Sequence, residues 1–208
     1  LEDIKNKISL KNELLRKAIH LSSSVVPISY LYLSKDIEVF ILCVISTLMI
    51  IVDLTRTRVP VMRDLYLRYL QPILRSHELE DNKPVFTGGT YLILAYLLCV
   101  IIFPKPISVT AMFIIIFSDS AAAIFGKVYG KHFIGNKTIE GSLAFFISAV
   151  IIIILTPKMT GLMMEYYIGI VSALLTTVFE LLPLKIDDNL SIPLFFGAIY
   201  FIQMKLFM

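Results

Sequence analysis

Residues 117–146 read FSDSAAAIFGKVYGKHFIGNKTIEGSLAFF, and in them one aspartate and three lysines stand between two runs apolar enough for lipid, ISVTAMFIIIF before and LAFFISAVIIIIL after. The whole 208-residue chain has the same character: 57% of it is hydrophobic, its mean hydropathy is +0.82, and it has no tryptophan. That is too apolar for a soluble domain of this length and implies an integral membrane protein. A spanning helix needs about 20 mostly apolar residues. Hydropathy marks seven candidates, near 19–34, 37–54, 87–103, 107–126, 142–156, 162–182 and 190–207. The expected fold is therefore all-α, a polytopic bundle of about seven transmembrane helices forming a single membrane-embedded domain over 1–208.

Orientation is read from Lys and Arg, which concentrate in cytoplasmic loops. Five lie in the N-terminal segment, six between the second and third spans, three after the fourth and one, Lys185, after the sixth. Lys35, Lys105, Lys158 and Lys205 fall on the other side. Fifteen against four predicts a cytoplasmic N-terminus and an external C-terminus. Residues 1–17 space Ile4, Ile8, Leu14 and Leu15 among lysines like an interfacial amphipathic helix. Residues 55–84 form a cytoplasmic loop expected to hold a second such helix, with Leu65, Tyr69 and Leu70 beside Arg63 and Arg68 and a break near Pro72. No removable signal peptide is expected, since no charged start leads into an apolar run with a small-residue cleavage site. Cys43 and Cys99 lie within apolar runs and suggest neither a disulfide nor a metal site.

An ionisable residue inside a span is a functional hypothesis by default. Asp119 is the clearest, seven residues before Gly126 and so roughly 10 Å along a helix rising 1.5 Å per residue. If the helix continues, Asp119, Ala123, Lys127 and Lys131 share one face, while Ser118, Ala122, Gly126 and Gly130 form a neighbouring small-residue row suited to close packing. The loop 127–141 adds glycines, exposed amides and Lys137, groups that hold phosphate, and a helix starting near Thr138 would add a positive dipole end. Glu140 beside it is either a Mg²⁺ ligand or a cap. GKHFIGNKT resembles a P-loop but has Asn136 between glycine and lysine and no preceding strand, so a P-loop is rejected.

Other polar groups fall on the same side. Asp53 ends the second span, Glu180 ends the sixth, and Asp187, Asp188 and Asn189 open the seventh. Asp187 or Asp188 reads equally well as a helix cap, and Asp53 with Arg56 as an interfacial pair. Arg16, Lys17 and His20 stand where the first span begins, and Gly88–Gly89 opens the third. Carboxylates and lysines together at one membrane face suit a nucleoside triphosphate held through Mg²⁺, with a hydrophobic acceptor reached from the lipid side.

At these residues the chain resembles the CTP-dependent lipid kinases, the family of dolichol kinase, phytol kinase and yeast-type diacylglycerol kinase, distantly related to phosphatidate cytidylyltransferase. The resemblance runs through RKAIH (16–20), DLTR (53–56), GGTY (88–91), DSAAAIFGKVYGK (119–131), KTIEGS (137–142), FELLP (179–183) and DDNLSIP (187–193). One departure is Ser118, where the family commonly has glycine. The resemblance implies transfer of the γ-phosphate of CTP to a membrane lipid alcohol at the cytoplasmic face. Asp119 would bind Mg²⁺ or help activate the hydroxyl, and Lys127, Lys131 and Lys137 would neutralise phosphates. Glu140, Glu180, Asp187, Asp188 and Asp53 would be metal ligands. Gly126, Gly130, Thr138 and Gly141, with Arg16, His20 and Asn189, would shape the nucleotide site. No nucleic-acid partner is expected. The rival readings are a cytidylyltransferase, which would release pyrophosphate rather than CDP, and a small transporter using Asp119 and Glu180 as a relay.

Overall fold

The computed structural model describes residues 10–70, 86–183 and 186–208. Its helices are α1 Leu10–Ser22, α2 Val25–Tyr32, α3 Lys35–Arg58, α4 Pro60–Leu70, α5 Gly88–Ile102, α6 Lys105–Phe113, α7 Asp119–Tyr129, α8 Ile139–Leu155, α9 Met163–Glu180 and α10 Asp188–Phe207. A π-helical stretch, Ile114–Ser118, joins α6 to α7 in one continuous rod. A two-stranded antiparallel hairpin, β1 Phe133–Ile134 and β2 Lys137–Thr138, links α7 to α8. Among the described residues three rods are long and apolar enough to cross a membrane: Lys35–Arg56, Lys105–Tyr129 and Asp188–Phe207. Gly88–Ile102 and Ile139–Leu155 are apolar but shorter.

The first apolar run, 19–34, is broken rather than continuous. Pro27 has no N–H for the carbonyl four residues back, and its ring crowds that carbonyl. The chain tightens instead, with Ser23 N–H donating to His20 O (3.1 Å) and Ser24 N–H to Leu21 O (3.0 Å). The hydroxyls of Ser22 and Ser23 donate to the Ile19 and His20 carbonyls, each at 2.6 Å. Downstream, α3 runs on to Arg58 and α4 starts at Pro60, a favoured first helical residue. The rest of the expected loop, 71–85, lies outside the described residues, as do 1–9 and Lys185.

The Lys105–Tyr129 rod is the most enclosed, its Ile107, Val109, Ala111, Met112 and Ile114–Ile116 fully buried. Tyr96 and Cys99 of α5, Phe145 and Ile153 of α8, and Ile192 and Phe196 of α10 complete this core. Large apolar side chains such as Phe40, Leu48, Leu155, Leu174 and Leu206 point outward. In lipid, helices associate chiefly by close packing over small residues. Gly197 accordingly lets the Phe103 ring lie on α10, where an added Cβ would come within 2.4 Å of it.

The four lysines assigned to the outer side are absorbed structurally. Lys35 donates to Ile101 O (2.8 Å) and Lys105 to Leu33 O (2.7 Å), satisfying carbonyls at the ends of α5 and α2. Lys158 donates to the carbonyls of Ile153 and Thr156 at the end of α8. Lys205 sits 4.5 Å over the Phe201 ring. At the same end Glu165, fully buried, accepts from the backbone N–H groups of Met159 (2.7 Å), Thr160 (2.9 Å) and Gly161 (3.2 Å), and from Tyr200 O–H (3.3 Å).

Candidate active site

Asp119 stands where the π-helical stretch gives way to α7, a local widening that recurs at functional sites. Its carboxylate faces α1. Lys17, only 3% exposed, donates through Nζ to Asp119 Oδ2 and to the Asp119 carbonyl (3.3 Å). One turn further along α1, His20 places Nδ1 3.9 Å from the same Oδ2. Arg16 adds a third basic group close enough for its charge to act on Asp119. The break after Ser22 ends α1 just past this contact.

A second cluster joins three elements. Lys137 of β2 reaches Glu180 Oε1 at the end of α9 (2.8 Å) and Asp188 Oδ2 at the start of α10 (3.0 Å), and also donates to the Glu180 carbonyl. Ser142 of α8 donates to Glu180 Oε2 (3.3 Å). Burial disfavours the charged lysine, but the two carboxylates outweigh it and hold the Lys137 pKa above its ordinary value. Lys137 is therefore a fixed positive charge at physiological pH. Glu180 lies near enough to Asp119 and Asp188 for both negative charges to act on it, so the two clusters are neighbours.

The glycines of the expected nucleotide loop lie at a helix crossing. A Cβ on Gly126 would meet Thr138 Oγ1 at 2.7 Å, and one on Gly141 would meet the Ala122 carbonyl at 2.8 Å and Gly126 Cα at 3.3 Å. These contacts bring α7 and α8 nearly backbone to backbone, holding Asp119 beside the Lys137 cluster. The helix starts beside Thr138 as anticipated, and it is Thr138 rather than Glu140 that caps it, accepting from Gly141 N–H (3.1 Å). The row from Asp119 through Lys127 does not extend to Lys131. Gly130 closes α7, its N–H bonded to Gly126 O (3.1 Å), and a Cβ there would overlap that oxygen. Lys127 and Lys131 are both exposed beside the hairpin.

The remaining carboxylates stand apart. Glu140 pairs with His132, Oε1 to Nδ1 at 2.7 Å, and accepts from His132 N–H at 3.3 Å, fixing the hairpin to α8. Asp187 caps α10, accepting from Asn189 N–H (2.9 Å), while Asn189 Nδ2 donates to Gly88 O (3.0 Å) and ties α10 to α5. Asp53, 3% exposed, accepts at Oδ2 from Thr87 N–H (2.8 Å) and from the hydroxyls of Thr87 (3.2 Å) and Thr90 (2.6 Å). Arg56 Nε lies 3.1 Å from its Oδ1. Oδ2 thus anchors the start of α5, while Oδ1 pairs within α3. Lys17, Ser142, His132, Thr87 and Thr90 were not singled out for a site by sequence. Lys17 alone carried a signal, as one of three basic groups within five residues.

Among the described residues no three His, Cys, Asp or Glu side chains gather closely enough to cage a metal. Mg²⁺ does not require such a cage, since it commonly takes one or two carboxylates and completes its shell with phosphates and water. Glu180 and Asp188, both within reach of one cationic nitrogen, offer oxygen donors of that kind. They fit a magnesium ion that takes the rest of its shell from other ligands.

Two relatives match nearly the whole chain. An uncharacterised protein of Rickettsia prowazekii is 32% identical over 183 residues, 86% of this chain and 88% of its own length. An uncharacterised protein of Methanocaldococcus jannaschii is 30% identical over 190 residues, 87% of this chain and 88% of its own. The chain belongs to the same family as these two proteins. It is also 29% identical over 147 residues, 68% of its length, to CTP-dependent diacylglycerol kinase 1 of Saccharomyces cerevisiae. To the enzyme of the same name from Schizosaccharomyces pombe it is 27% identical over 101 residues, 47% of its length. These matches cover 49% and 44% of the two kinases, about half of each. The likeness to these two kinases is distant. No family model matches the chain, and neither does any solved structure.

Proposed function

We propose that the protein is an integral membrane kinase that transfers the γ-phosphate of CTP to the hydroxyl of a membrane lipid alcohol: a diacylglycerol, a polyprenol or dolichol, or a phytol-like isoprenoid. The observation that carries this reading is Lys137 held between Glu180 and Asp188, with Asp119 in electrostatic reach, at one end of an apolar bundle. The similarity to two CTP-dependent diacylglycerol kinases supports it and supplies CTP as donor.

In the reaction the acceptor oxygen bonds to the γ-phosphorus, the bond to the β-phosphate oxygen breaks, CDP leaves, and the hydroxyl proton passes to solvent or a neighbouring base. Such chemistry depends on positioning and charge neutralisation more than on covalent help from the protein. Lys137 neutralises phosphate, with Lys127 and Lys131 at the open edge. Asp119, Glu180 and Asp188 are the residues that would hold Mg²⁺, which when bound offsets the charge developing on the phosphates. Thr138, Gly126, Gly130 and Gly141 fix the approach of α7 to α8, while Glu140 with His132 sets the hairpin. Arg16 and His20 add positive charge from α1. Asn189 and Asp187 set the start of α10, and Asp53 holds α5 in place.

The bundle crosses the membrane seven times, α1 and α2 together making the first, broken crossing. The N-terminus and the site face the cytoplasm. The fifteen-to-four distribution of basic residues supports this, and so do the structural partners of the four lysines opposite.

The test is transfer from γ-labelled CTP or ATP, with Mg²⁺ and with EDTA, by detergent-purified protein to diacylglycerol, dolichol, short polyprenols and phytol. The expected result is label in one lipid from CTP, CDP as co-product, and no transfer in EDTA. Pyrophosphate release on a lipid phosphate, with no labelled alcohol, would make the protein a cytidylyltransferase instead.

A further inference from the structure

We infer that Lys17, from the first helix, binds the nucleotide's phosphates and rests on Asp119 when no nucleotide is present; this builds on the kinase reading above. The argument is one of charge balance at two neighbouring lobes. Around Lys137 stand two carboxylates, Glu180 and Asp188, a surplus of negative charge suited to a divalent cation. Around Asp119 stand Lys17, Arg16 and His20, a surplus of basic groups suited to a polyanion. With Asp119, Glu180 and Asp188 given to a metal ion, Lys17 would lose that carboxylate and, with Arg16 and His20 beside it, would face the polyphosphate that the ion carries.

Burying an ion pair gains little net stability, because desolvation offsets the attraction. A tether holding α1 to the bundle would be served as well by apolar contact, and α1 already packs Leu21 against the core. What Lys17 adds is a compact, mobile ammonium on a four-carbon stem, able to turn from one anion to another without moving the helix. It bonds two oxygens of a single residue, the carboxylate and the backbone carbonyl of Asp119, and a metal ion held by that carboxylate would compensate its charge in place of the ammonium.

The test compares full-length protein with Lys17→Gln, which keeps a hydrogen-bond donor toward Asp119 and loses the charge, and with Lys17→Arg, which keeps the charge. Two affinities are read without any lipid acceptor: Mn²⁺ alone, by electron paramagnetic resonance, and CTP in the presence of Mn²⁺. For Lys17→Gln, CTP binding falls about tenfold or more, the scale of one charge-assisted phosphate contact, while Mn²⁺ alone binds more tightly because its competitor at Asp119 is gone. For Lys17→Arg, CTP binding recovers most of the loss. CTP affinity in folded Lys17→Gln equal to the parent's overturns the inference. So does a parallel loss of melting temperature, Mn²⁺ binding and CTP binding that Lys17→Arg reverses in full, which would make Lys17 a tether. Since neither readout requires phosphate transfer, a parent protein that binds CTP without phosphorylating lipid would fail the kinase proposal and leave this one standing.

Discussion

Asp53 and Asp119 are both aspartates near the same end of the bundle, and their surroundings separate their roles. Asp53 spends both oxygens on its own fold, on Arg56, Thr87 and Thr90. Asp53→Ala would remove a carboxylate from the buried Arg56 and from Thr87, the residue that caps α5. The expected cost is about 3–5 kcal/mol, seen as a lower melting temperature in detergent. Asp119 is held by cations alone, and its exchange for asparagine keeps the shape while removing the charge. Asp119→Asn is expected to lower phosphate transfer about 1,000-fold and, because buried Lys17 loses its carboxylate, also to lower the melting temperature, so transfer is compared at a temperature where the variant is folded. Near-normal turnover in that variant would refute the assignment. The contrast was only half legible in sequence, where Asp53 followed by Arg56 and Asp119 within an apolar run gave opposite leanings. The threonines that claim Asp53 lie 34 and 37 residues away.

At the scale of elements, the decisive contact is the crossing of α7 and α8. Sequence showed the small-residue row of Ala122, Gly126 and Gly130. It did not show that Gly141 of the next helix completes the crossing, because the pairing depends on how far the hairpin turns the chain back. The added methyl of Gly141→Ala would press on the Ala122 carbonyl, which is backbone and cannot turn aside. That substitution is expected to destabilise by about 1–3 kcal/mol and to lower transfer by shifting Asp119 relative to Lys137, read as a kcat loss exceeding any change in KM for CTP. Gly135, at the hairpin tip with φ of +61°, offers a control. Nothing lies within 4 Å of its Cβ position, so Gly135→Ala strains only the turn and is expected to change stability by about 1 kcal/mol. The break in the first apolar run, 19–34, is a further departure from hydropathy. Averaging over a window sees the apolar residues of that run but not the N–H that Pro27 lacks, and the Ser23 carbonyl takes its bond from Val26 N–H (3.0 Å) instead.

For the molecule as a whole, the test is one of sidedness. With Cys43 and Cys99 replaced by alanine, single cysteines at Lys131 and Lys158 are expected to react with an impermeant maleimide from opposite sides of the membrane, Lys131→Cys from the cytoplasm. Labelling of both from one side would overturn the seven-crossing arrangement. The sequence by itself determined that the chain is helical and membrane-embedded, where the apolar runs fall, and that carboxylates and lysines accumulate at their ends. Hydropathy and charge are sums over neighbouring residues, so local order suffices to read them. Only the tertiary structure decided which of those charged groups meet. Lys17 with Asp119, and Lys137 with Asp188, are joined across 102 and 51 residues, and Lys137 reaches Glu180 across 43. No helical period fixes those separations. They are set by the close approach of glycine-bearing helices and by the high cost, in a low-dielectric interior, of leaving any of these charges without a counter-ion.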